Sequence, residues 1–100
     1  MVSPWPFADP PNLAVITVKQ ILQGGKPVLY VVHGADDGGW QFLTGGPFDM
    51  ADALVVSLRS MIEHDRSLAQ LADLPIGWSA RRDTVQSDWQ RAPESEAPEA

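Results

Sequence analysis

An α+β fold, with an antiparallel-rich sheet of four or five strands and short helices packed on one face, is predicted by three features of this sequence. Several short runs are rich in β-branched and aromatic side chains. Two of them flank Asp36-Asp37-Gly38-Gly39, a stretch built for a tight reversal. Helical spacing of apolar residues is confined to brief stretches, chiefly between Ser57 and Leu74.

Residues 3–12 hold Pro4, Pro6, Pro10 and Pro11 around Trp5 and Phe7, which prevents a regular helix and disfavours a ladder strand. Residues 1–12 are therefore read as an extended arm, its aromatics packing on the domain in preference to a partner. Leu13-Ala14-Val15-Ile16-Thr17-Val18 reads as a strand. One helical turn over 19–23 follows, with Thr17 able to cap it and Gly24-Gly25 ending it. Residues 27–33 are apolar on both faces through Val28, Leu29, Tyr30, Val31 and Val32, which places this strand centrally. After the glycine-rich turn, Trp40-Gln41-Phe42-Leu43-Thr44 completes a hairpin, and Gly45-Gly46-Pro47 ends it.

A helical turn is expected over 49–53, then a short strand at Leu54-Val55-Val56. Ser57 is an N-cap for a helix reaching His64, and Asp65 is a second N-cap for a short helix carrying Leu68, Leu71 and Ala72. Pro75 and Gly77 stop that helix. Residues 78–83 are expected as an edge strand, with Trp89 the last core anchor. Residues 13–91 thus form a single domain, and residues 92–100, with three glutamates and two prolines, read as a disordered acidic tail.

The chain has 100 residues, 13 acidic and 7 basic, with a formal net charge of -6. Within residues 13–91 the balance is nine acids against seven bases, so the domain itself is nearly neutral. Arg81-Arg82 is its sole adjacent basic pair, which argues against nucleic acid as a partner. No apolar run approaches the roughly 20 residues of a membrane span, and the start lacks the pattern of a secretory signal, so a cytoplasmic protein is expected. The absence of cysteine excludes disulfides, thiolate metal sites and thiol catalysis.

His33 stands three residues before Asp36-Asp37, the arrangement of a metal or acid–base site. The same residues are what a hairpin turn needs for its own geometry, and that reading carries more weight. His64-Asp65 has a structural role available as a helix end and a cap. The paired glycines lack the fingerprint spacing of phosphate loops, and no serine lies in a nucleophile elbow. No metal, cofactor or catalytic residue is assigned. Four tryptophans in so short a chain are the least ordinary feature. Trp40 and Trp78 either pair in the core or present an aromatic anchor outward.

The stretch from Asp36 to Gly45, taken with Val55-Val56-Ser57-Leu58, Asp65, Leu71-Ala72-Asp73-Leu74-Pro75, Gly77-Trp78 and Arg82-Asp83, resembles a bacterial family of small domains of unknown function grouped with immunity proteins of polymorphic toxin systems. Arg66 departs from that pattern, standing where a proline is expected after the capping aspartate. The resemblance spans residues 13–91 and implies a non-enzymatic domain that occupies a protein partner such as a toxin. The expected contacts are Asp36, Asp37, Trp40 and Trp78. Two alternatives stand beside it: a small-ligand-binding or metal-assisted enzyme using His33 with Asp36 or Asp37, and a structural homodimer joined at a sheet edge.

Overall fold

Regular structure begins where the prolines stop. The computed structural model describes residues 5–47 and 49–94. The β-branched run forms β1 (Ala14–Val18) and passes directly into the single turn α1 (Lys19–Leu22). Next come β2 (Tyr30–His33) and β3 (Trp40–Leu43), the arms of the expected hairpin, paired antiparallel from Tyr30↔Leu43 to His33↔Trp40. A 3-10 turn (Met50–Asp52) leads into β4 (Ala53–Ser57), then α2 (Leu58–His64) and a 3-10 helix (Arg66–Leu71). The chain closes with β5 (Trp78–Arg81) and β6 (Gln90–Pro93).

The six strands make one sheet in the order β4-β1-β3-β2-β5-β6, and every neighbouring pair is antiparallel except β1 with β3. The α+β class is thus observed, with six strands where four or five were expected. The sixth comes from Gln90-Arg91-Ala92-Pro93, which has no strand-like side-chain pattern and pairs through its backbone with β5. The folded domain therefore runs past residue 91, the expected disordered tail loses Ala92, Pro93 and Glu94, and β5 is interior rather than an edge. Residues 95–100 of that tail, and 1–4 of the arm, lie outside the described residues.

Capping chemistry sets the helices. Ser57 Oγ accepts from the Ser60 amide and Asp65 Oδ1 from the Ser67 amide, as their positions predict. Thr17 does not cap α1, whose N-cap is Val18 with no side-chain bond. Its hydroxyl instead donates 2.8 Å to the Phe42 carbonyl, bridging β1 to β3.

Cross-strand partners sort the side chains into two faces. Val15, Phe42, Val31 and Ala80 lie on one, buried beneath Leu58, Met61, Leu68, Leu71 and Leu74 from the helical layer. Burying each of those leucines contributes about 1.5–3 kcal/mol. Val55, Ile16, Gln41, Val32 and Ser79 form a row on the other face, and among the described residues no helix covers it. The apolar content of both faces of β2 predicted a central strand, and β2 is interior to the sheet. The helices lie on one side, as expected, and Tyr30 and Val32 on the other stay half-buried.

The arm packs on its own domain. Phe7 is buried, edge-on to Trp40 at 5.3 Å, and Asp9 ties the arm down: its carboxylate accepts from Trp40 Nε1 at 2.8 Å and its carbonyl from Trp5 Nε1.

Candidate functional site

The β2–β3 hairpin carries most of the residues singled out in the sequence, and the structure separates them. β2 ends at His33 and the chain reverses through Gly34 to Gly39. The Gly34 amide donates to the Gly39 carbonyl, and Gly38 adopts a φ of 71°, where a side chain would be strained. Asp37 Oδ1 accepts from the Gly39 amide at 2.8 Å, fixing the turn as an Asx motif. Asp36 and Asp37 are both exposed.

His33 and Trp40 point the other way, into the covered face. His33 is buried, donates from Nδ1 to the Leu74 carbonyl at 2.7 Å, and stacks on Trp40 with ring centres 3.8 Å apart. Its imidazole therefore joins the hairpin to the chain after the 3-10 helix. The pairing of His33 with Asp36 or Asp37 is not formed, because one side chain lies in the core layer and the others on the solvent side of the turn. Among the described residues, no three His, Asp or Glu side chains gather as a metal ion would need.

Trp40 is 2% exposed, held by Phe7, His33 and Phe42 and bonded to Asp9. As a surface contact it must be withdrawn, since a fully buried indole cannot reach a partner. Trp78 stands opposite His33 in the sheet and is partly buried against the core. Its role is chiefly packing. Of the four residues expected at the site, only Asp36 and Asp37 present their side chains openly.

The open face of the sheet supplies what the tryptophans do not. A depression of about 450 Å3 lies over Tyr30, Val32, Gln41 and Leu43 and is bordered by Asp36, Asp37 and Glu94. A second, of about 430 Å3, is floored by Val18, Leu29, Pro27 and Leu43 and bordered by Asp49, Asp52 and Lys26. Leu43 lines both, so the two hollows adjoin at that residue. Five carboxylates and one lysine border the two hollows. Arg81 sits over the Tyr30 ring at 4.6 Å.

At the Asp52 end the carboxylate is held below its ordinary pKa, first by the hydrogen bond from the Gln20 amide at 2.6 Å, then by Lys19 at 3.3 Å. It therefore stays ionised into acid solution. Sequence reading missed Tyr30, Gln41 and Glu94 as surface residues, while Leu43 between them is buried. The alternation within β2 and β3 held the signal, but only the strand order shows which face lies bare.

No family model, no curated protein and no solved structure matches this chain. Its class is therefore defined by architecture alone: a small α+β protein whose described residues form a mixed six-stranded sheet, with helices on one face and none on the other.

Proposed function

We propose that this chain is a non-enzymatic protein-binding domain of the immunity type, and that it engages a protein partner with the bare face of its sheet. The supporting observation is the pair of adjoining hollows, apolar where they meet at Leu43 and edged by Asp36, Asp37, Glu94, Asp49 and Asp52. An apolar centre within a charged rim is the anatomy of a protein interface. The excess of carboxylates favours a partner that presents lysine or arginine around an apolar patch, and such pairing chiefly raises the association rate.

Affinity capture from the host, with the wild type and the Asp36→Lys, Asp37→Lys double variant side by side, tests this reading. A protein retained by the wild type is then purified and rebound by calorimetry. The double variant is expected to bind at least about tenfold more weakly, and wild-type affinity to fall as salt rises. No retained protein, or one bound equally well by the double variant, overturns the proposal.

A further inference from the structure

The two edges of the sheet are treated differently, and the difference points to a specific partner for one of them. At one edge stands β6. The Glu94 amide donates to the Gly77 carbonyl, and ladder alternation then turns the backbone of Pro93 and Arg91 away from β5, toward the free side. Pro93 has no N–H to offer there, and Arg91 is drawn back to Asp73 and the Gln70 carbonyl. Proline and charge on an edge strand are the usual means of preventing further strand addition.

The opposite edge, β4, has neither. Ala53-Leu54-Val55-Val56-Ser57 contains no charge and no proline, and Val55 is 70% exposed. The Leu58 amide donates to the Leu13 carbonyl, which fixes the alternation of the β1–β4 ladder. By that alternation Val15↔Val56 and Thr17↔Leu54 exchange hydrogen bonds, while the N–H and C=O of Val55 face outward. The Ala53 amide is already given to the Met50 carbonyl, and the Ser57 carbonyl belongs to the first turn of α2. The Ala53 carbonyl and the Ser57 amide remain on the outer side.

We infer that β4 pairs antiparallel with β4 of a second copy of this chain, centred on Val55 opposite Val55. That register matches the Ser57 amide of each copy to the Ala53 carbonyl of the other, and the two Val55 residues exchange both of their bonds. Four hydrogen bonds form, and each outward group just named finds a partner. The outward groups choose the direction, because the antiparallel register gives every one of them a partner and keeps the same face of both sheets on one side. The charges at the strand's two ends, Asp52 and Arg59, are already paired with Lys19 and Glu63 and so do not oppose the approach. The helical layer lies on the covered face and leaves this edge clear. The result is a twelve-stranded sheet whose bare face is continuous through the row of Ile16 and Val55.

Light scattering coupled to size exclusion, over a concentration series of the full chain, reads this directly. The mass is expected to rise from 10.9 kDa toward twice that value as concentration increases. Val55→Lys is expected to remain a monomer with an unchanged circular dichroism spectrum. Val55→Pro serves as a second variant, because the N–H it removes is not used within the chain. The absence of native cysteine makes a register test clean. Under mild oxidation Val55→Cys is expected to form a disulfide dimer, the symmetric pair lying about 5.5 Å apart at Cα, while Val85→Cys at another exposed site is not. A wild type that stays monomeric throughout overturns the inference, and so does a folded Val55→Lys variant that dimerises like the wild type. Cross-linking at Val85 equal to that at Val55 also overturns it.

Discussion

Arg82 shows how much of this fold depends on one polar side chain. Its guanidinium is buried and donates to the Val28 carbonyl at 3.1 Å, to Ser67 Oγ at 3.0 Å and to Asp65 Oδ2 at 3.1 Å, with the Trp89 ring 4.2 Å away. One residue thereby joins the segment before β2, the cap of the 3-10 helix and the loop before β6. Removing it leaves the Asp65 carboxylate and a buried carbonyl without their donor, and that loss is costlier than the pair itself is favourable. Arg82→Ala is expected to lower the unfolding free energy by about 3 kcal/mol, measured by urea denaturation. Arg82→Lys is expected to recover only part of it, because an ammonium cannot reach three acceptors in the fork geometry of a guanidinium. Asp65 could be read from sequence as a cap, since capping is local. Its partner lies 17 residues on, and no local pattern marks a pairing over that span.

Elements built from local rules could be read, and elements built from distant contacts could not. The hairpin, both capped helices and β4 follow from turn residues, caps and β-branched runs. β6 does not, because it is held by backbone pairing and by Arg91, which reaches Asp73 Oδ1 at 2.7 Å and the Gln70 carbonyl. This clasp ties an otherwise polar strand to the helical layer. The hydrogen bond and charge of Arg91 hold the Asp73 carboxyl below its ordinary pKa of 3.8. A carboxyl depressed in the folded state contributes stability that is present above its unfolded pKa and lost as pH falls through the folded value. The contribution of Asp73 is therefore intact near neutrality and fades below about pH 4. Asp73→Asn is expected to lower the neutral plateau of a melting-temperature profile slightly and to make its acid limb shallower, the two proteins converging at low pH. An unaltered acid limb would show that the clasp does not hold β6.

At the scale of the molecule, two properties escaped the sequence for the same reason. Strand order is set by pairings between distant segments, so neither the bare face nor the free β4 edge could be inferred from residues alone. By count, residues 13–91 are nearly neutral, with nine acids against seven bases. In three dimensions the domain's own carboxylates are unevenly placed: Asp36, Asp37, Asp49 and Asp52 all border the bare face, joined there by Glu94. Net charge was a poor guide to partners because position, rather than sum, sets the local field. The tryptophans mislead in the opposite direction, since Trp40 is spent on the core and the other three are partly buried against it.

The single parallel pairing, β1 beside β3, divides the sheet into an antiparallel ribbon of β4 and β1 and another of β3, β2, β5 and β6. Parallel ladders are slightly weaker per residue, and this one closes a long loop. The bond from Thr17 to the Phe42 carbonyl crosses it in the interior. The ribbons should behave as separate opening units, with amides of β1 and β4 exchanging with deuterium together and those of β2, β3 and β5 in a slower group. Thr17→Val, which removes the bond while keeping the shape, is expected to speed exchange in the first group more than in the second. Equal acceleration of both would mean that the sheet opens as one piece. A protein of this size would then carry a built-in line of separation, along which a force applied to the β4 end would part it before either ribbon lost its own pairing.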